Sequence, residues 1–299
     1  MEGVLFPHCV KNNLVALFAN SLKRISFSSA PTNHNAIYFR FMITYITVVL
    51  AALTGAFLSF FCGFGLGTLL LPAFMLFFPA QVAIAATAVV HMANNVFKLF
   101  LVGKHAHRAT LISFGLPSVV GALLGAWSLQ WLAGRGQQFD YALAGHTFQT
   151  DIIRIVIALV ILGFALLELS PALNKINLPS RWLPAGGLLS GFFGGLSGHQ
   201  GALRSAFLMR AGLSKEAFMG TRVVCACLVD ISRISVYSAS IAAGWNHIRI
   251  DVLSIATLAA FFGAWQGNKL VKKTELPLLN KIITLALVLF AMSLGCGFI

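Results

Sequence analysis

Ten apolar runs follow one another along this chain with only short polar breaks between them. They lie at 42–62, 66–79, 81–103, 110–132, 151–170, 182–197, 201–213, 215–243, 250–271 and 278–298. A helix that crosses the hydrocarbon of a bilayer needs about 20 predominantly apolar residues, and most of these runs reach that length. Inside lipid every backbone N–H and C=O must be satisfied within the segment, so runs of this kind fold as helices. Soluble domains carry about a quarter charged residues, whereas this chain of 299 residues is 10% charged and 58% hydrophobic. The expected fold class is therefore an all-α polytopic membrane protein. The formal charge of +13 does not point to nucleic acid, because so apolar a chain has no room for a basic face outside the membrane. Anionic headgroups of the lipid bilayer and a small anionic substrate are the partners it suits.

One stretch, 184–221, departs from continuous apolar sequence. It reads PAGGLLSGFFGGLSGHQGALRSAFLMRAGLSKEAFMGT and is broken by Gly194, Gly195, Gly198 and Gly201, with His199, Gln200 and Arg204 at the break. Irregular backbone at membrane depth is tolerated only where protein buries it or where it lines a cavity. A cation beside such a break points to an anion site between broken helices.

The stretch has an earlier counterpart. GAFLSFFCG (55–63) aligns with GGLLSGFFG (186–194), with Ser59 against Ser190. AATAV (85–89) aligns with MGTRV (219–223), matching Thr87 to Thr221, and GALLGAW ending at Trp127 aligns with AAFFGAW ending at Trp265. Three blocks in one order indicate internal duplication, the signature of a transporter built from two repeats. The first repeat covers 42–170 and the second 182–299, joined by a linker at 171–181 and preceded by a polar tail at 1–41. The second and seventh runs are short and follow the glycine breaks, so runs one and two, and six and seven, pair as tight hairpins whose tips either stop within the bilayer or cross it.

Loop charges orient the chain. Loops 104–109 (Lys104, Arg108), 171–181 (Lys175, Arg181), 210–216 (Arg210, Lys215 against Glu216) and 269–281 (Lys269, Lys272, Lys273, Lys281 against Glu275) are each net positive. The alternate loops 80–81, 133–150 and 244–251 are neutral. The positive set is expected on the cytoplasmic side. Five segments per repeat then invert the second repeat relative to the first. The basic tail falls outside in this topology and conflicts with it.

The candidate substrate-binding residues sit at the breaks and within the apolar runs. Arg204 follows Gly201 by three residues, where free N–H groups at a helix start and a bidentate guanidinium favour an oxyanion; the alternative is a clamp on loop carbonyls. Gly198, Gly201, His199 and Gln200 surround it. Gly63, Gly65 and Gly67 form the first break, Leu66 separating the last two, and neither a strand nor a Walker lysine accompanies them, so no nucleotide loop is expected. Asp230 and Arg233 share one helix face within run eight. Asn95 and Lys98, at the same spacing in run three, fall within one position of them in the repeat alignment. Intramembrane charges read as functional; a structural ion pair is the alternative, and snorkelling is the alternative for Lys98 and Arg222. Asp230 or His199 would carry a coupling proton. No metal-ligand set or cofactor motif is present. Cys225 and Cys227 are two apart and make no CxxC, which leaves a membrane-embedded thiol-redox enzyme as the rival to a non-enzymatic transporter.

The chain resembles the sulfite exporter TauE/SafE family. GAFLSFFCGFGLGTLLLPAFM, AIAATAVV, SGFFGGLSGHQGALRSAFL and GTRVV carry the resemblance, across about 45–298. It implies a multi-pass transporter in a bacterial inner membrane that moves sulfite, sulfonates or related sulfur oxyanions, driven by a proton or sodium gradient or by the substrate's own, with oligomerisation possible.

Overall fold

The computed structural model describes residues 34–61, 65–136, 138–143, 146–169, 179–243, 249–270 and 277–298. Each apolar run forms one helix: α1 (His34–Leu58), α2 (Leu66–Met75), α3 (Ala80–Val102), α4 (Arg108–Ala133), α5 (Ile152–Leu169), α6 (Leu183–Ser197), α7 (Gly201–Leu208), α8 (Lys215–Ala243), α9 (Ile250–Leu270) and α10 (Pro277–Gly295). The molecule is an all-α polytopic membrane protein. Four helices, α1, α3, α4 and α9, are both long and apolar enough to cross a bilayer. The 29-residue α8 has ample length, but it carries Arg222, Asp230 and Arg233 in its interior.

The glycine breaks do what their sequence dictates. With 10 residues in α2 and 8 in α7, these helices are about 15 Å and 12 Å long at 1.5 Å per residue, well short of a bilayer core of about 30 Å. Pro72 sits inside α2 without ending it. In α4 the turn before Pro117, which has no N–H to donate, widens into a π-helical stretch at Leu111–Gly115.

The central helices α3 and α8 pack on each other. Three of the extensive contacts come in matched sets across the two halves: α1 on α9 and α6 on α4; α3 on α9 and α8 on α4; α1 on α2 and α6 on α7. The last pair, α5 with α10, joins the two halves directly. Between α4 and α6 the backbones are nearly in contact. A Cβ on Gly191 would stand 2.0 Å from the Ser118 carbonyl oxygen, and one on Gly125 would stand 1.9 Å from that of Phe192. Small residues four apart allow this close approach, as is common between helices in lipid. The outward faces carry exposed apolar side chains, among them Leu124, Trp127, Leu258, Phe262 and Leu285.

Two features differ from expectation. α1 begins at His34, ahead of the expected start at 42, because neither proline nor glycine interrupts the chain between Pro31 and Gly55. The supposed loop 133–150 holds an antiparallel hairpin, β1 (Gln138–Leu143) and β2 (His146–Asp151). It docks on the end of α10: Tyr141 Oη donates to the Cys296 carbonyl, and Phe148 meets Phe298 edge-on at 4.9 Å. The linker 171–178, Cys62, Gly63 and Trp245 lie outside the described residues.

Candidate functional site

The two glycine breaks meet. A Cβ on Gly67, at the start of α2, would lie 3.4 Å from the Gly198 carbonyl oxygen, in the turn between α6 and α7. Gly198 has φ +81°, the left-handed conformation that lets α6 end there. That φ strains any other residue at this position, whose Cβ would also come within 2.6 Å of Arg233 Nη1. Two half-helices thus start from one point in the middle of the bundle, and α3 and α8 pass beside it.

At that level α3 and α8 exchange polar contacts around one carboxylate. Asp230 is fully buried, as is Arg233 at 1% exposure. Asp230 Oδ1 accepts from Arg233 Nε at 3.0 Å, with Nη2 at 2.8 Å. Its Oδ2 lies 2.7 Å from His91 Nδ1 and accepts from Asn95 Nδ2, also at 2.7 Å. A buried carboxylate is tolerated only with such pairing. Here α3 supplies two of the partners, His91 and Asn95, and α8 the third, Arg233, so the two helices are joined through one carboxylate.

Next to this cluster lies a small cavity of about 20 Å³, enough for one or two water-sized groups. Its walls include Ser59 at the end of α1, Gly65, and His91, Asn95 and Lys98 from α3, with Arg204 from α7 and Arg222 from α8. Lys98 is 5% exposed and donates to Ser59 Oγ; Asn94 accepts from Lys98 Nζ at 3.2 Å when its amide nitrogen is turned toward the Ala260 carbonyl. Lys98 therefore points inward and does not snorkel. Arg204 is 4% exposed, and its Nε and Nη1 are buried with no hydrogen-bond partner. Leaving charged donors unsatisfied is costly, so an acceptor at these atoms would be stabilising. It does not clamp loop carbonyls through those atoms.

The other sequence candidates are distributed around this centre. His199 and Gln200 follow the Gly198 turn, are buried and do not line the cavity. His199 Nδ1 is 3.2 Å from Ser197 Oγ and its Nε2 is unpartnered, while both side-chain polar atoms of Gln200 are unpartnered. Gly201 opens α7. Thr87 bonds back to the Ala83 carbonyl and packs near Gly67. Thr221, its repeat partner, instead accepts from the His107 N–H in the loop before α4. Cys225 and Cys227 are buried and unbridged, Cys225 in an apolar cluster with Phe114, Leu183 and Leu208; neither lines the cavity. Sequence reasoning passed over His91 and Ser59. His91, Asn95 and Lys98 fall at i, i+4 and i+7, a polar stripe on one face of an apolar helix. Ser59 and Ser190 are matched in the sequence alignment but bond differently: Ser59 Oγ accepts from Lys98 of α3, whereas Ser190 Oγ donates to the Gln200 carbonyl at the second break, at 3.3 Å.

Apolar outer faces around a buried, cation-lined centre define a multi-pass membrane protein whose polar chemistry is internal. The family model for the sulfite exporter TauE/SafE matches residues 48–294, and the chain belongs to that family. It is a family of membrane transporters of sulfur-containing anions, and this protein is accordingly a membrane transporter. No curated protein and no solved structure matches the chain.

Proposed function

We propose that the protein is a secondary transporter that carries a small sulfur oxyanion, such as sulfite or a sulfonate, across a bacterial inner membrane. The observation that carries this reading is Arg204, a buried guanidinium with two unpartnered nitrogens on a cavity shared with Lys98 and Arg222. A guanidinium fork matches an oxyanion in charge and geometry. The walls of the cavity come from both repeats, so movement of one repeat against the other would open it alternately to each side.

The matched contact sets support two inverted five-helix repeats. Three further contacts join segment ends that the charge-based topology puts on the same side. Tyr45, in α1, bonds with Asp251 and Arg249 at the start of α9. Thr221, early in α8, meets His107 before α4, and the β-hairpin meets the end of α10.

The test is anion affinity in purified, monodisperse protein, measured by calorimetry with sulfite and a panel of sulfonates and paired with flux into proteoliposomes. A charge-assisted hydrogen bond contributes about 1.5–3 kcal/mol, so Arg204→Ala should weaken binding by about tenfold or more. Arg204→Lys should lose less, because it keeps the charge and loses only the fork. Wild-type affinity in well-folded Arg204→Ala protein would refute the assignment.

A further inference from the structure

An anion carries its charge across the membrane unless something in the site balances it, and the geometry at α3 indicates which residue does so. Asp230, the obvious proton carrier, is poorly placed for it. Both of its oxygens are taken, Oδ1 by Arg233 and Oδ2 by His91 and Asn95, and it has no exposure. Arg233 keeps that carboxylate charged. His199, the other sequence candidate, is not among the residues lining the cavity, and its ring lies 6.4 Å from that of Phe164.

His91 is placed differently. It lines the cavity, and its two nitrogens have separate surroundings. Nδ1 is 2.7 Å from Asp230 Oδ2. Nε2 is on the edge of the ring toward the first glycine break, 3.8 Å from where a Cβ on Gly65 would stand. A carboxylate beside Nδ1 fixes the neutral tautomer with its proton on Nδ1, leaving the Nε2 lone pair on the cavity side. Asn95 Nδ2, within 2.9 Å of Nδ1 and 2.7 Å of Asp230 Oδ2, then gives its hydrogen to the carboxylate. His91 is also the twelfth residue of the 23-residue α3, at the middle of its helix and at the point where the two breaks meet.

We infer that His91 is the proton-binding residue of the transport cycle, taking a proton on Nε2 as the anion occupies the cavity and releasing it when the anion leaves. The inference rests on the anion-transport reading above and adds the coupling ion. The proton comes from water or from a protonated form of the anion. A new N–H bond forms at Nε2, and the imidazolium donates it to an anion oxygen while Nδ1–H stays on Asp230. One positive charge is thus added per anion. The charged and titratable groups facing His91 are Asp230, Arg233 and Arg222 from α8, Lys98 from its own helix, Arg204 from α7 and His199 from the α6–α7 turn. Arg233 is matched by Asp230. The cations on the cavity disfavour a charged imidazole while the cavity is empty, and an anion among them reverses that balance.

The experiment counts protons on binding. Sulfite is titrated calorimetrically into wild-type protein and His91→Gln protein at about pH 7, where an ordinary histidine is partly titrated, in buffers of different ionisation enthalpy. Subtracting one protein from the other removes the anion's own protonation. The expected difference is close to one proton per anion, and by linkage the wild-type affinity gains up to about tenfold per pH unit on acidification relative to the variant. An equal proton count and an equal pH profile in the two proteins would overturn the inference.

Should His91→Gln fail to fold, ¹⁵N-imidazole resonances of wild-type protein decide. Sulfite must convert one histidine to imidazolium, and that signal must persist in His199→Gln. No conversion, or loss of the signal in His199→Gln, overturns the proposal. Arg204-dependent sulfite binding without a histidine proton would remove this inference and leave the transport reading in place. Absence of binding by every anion in the panel would remove both.

Discussion

Replacing Gly191 with alanine tests whether the α4–α6 contact is set by backbone proximity. The new Cβ would lie 2.0 Å from the Ser118 carbonyl oxygen, 2.7 Å from its carbon and 2.7 Å from the Ser118 Cα. Real Cβ atoms essentially never come within 3.0 Å of such neighbours, so the helices must part by about 1 Å, and a backbone carbonyl cannot rotate out of the way. Overpacking of this kind costs about 1–3 kcal/mol, against a gain of about 1 kcal/mol from replacing glycine in a helix interior. The rigid partner places the steric term at the upper end, for a net loss of about 1–2 kcal/mol. Gly163, in α5, is the internal control, because nothing stands within 4 Å of its would-be Cβ. Gly163→Ala should keep the propensity gain and stabilise by up to about 1 kcal/mol. The assay is unfolding of the detergent-solubilised protein by a denaturing surfactant, followed by far-UV circular dichroism. The reasoning fails if the two variants shift in the same direction.

Two further predictions use the same material. Asp230→Ala should cost about 3–5 kcal/mol, because it strands a buried Arg233; adding Arg233→Met should recover a large part of the loss, and a double variant no more stable than Asp230→Ala would contradict the pairing. For the topology, single cysteines at Lys104 and Lys281 should react with an impermeant maleimide from the cytoplasmic side alone and one at Asp140 from the opposite side; periplasmic labelling at either lysine position would overturn the inverted arrangement.

The helices and their breaks were legible in the sequence because both depend on local properties. A segment in lipid satisfies its own backbone, so its length and polarity are enough to predict it. α2 and α7 are short for a reason visible in Gly65, Gly67, Gly198 and Gly201. Arg204 was legible too, as a cation directly after a break. The β-hairpin was not, since its strands are held by the end of α10, remote in sequence: Tyr141 and Cys296 are 155 residues apart.

What the sequence alone determined is the class of protein: ten apolar runs, two of them broken and matched by duplication, permit little else in a bilayer. The tertiary structure decided which polar groups meet. His91 and Asp230 are separated by 139 residues, and Lys98 and Ser59 by 39. Alignment of the repeats put Asn95 and Lys98 within one position of Asp230 and Arg233, but alignment does not say that the pairs face one another. Nor does it show His91 among them, or that Arg204 lines the cavity while His199 does not. Those outcomes follow from the crossing of α3 and α8 and the left-handed turn at Gly198. They depend on the relative position of elements far apart in the chain, which apolar periodicity does not encode.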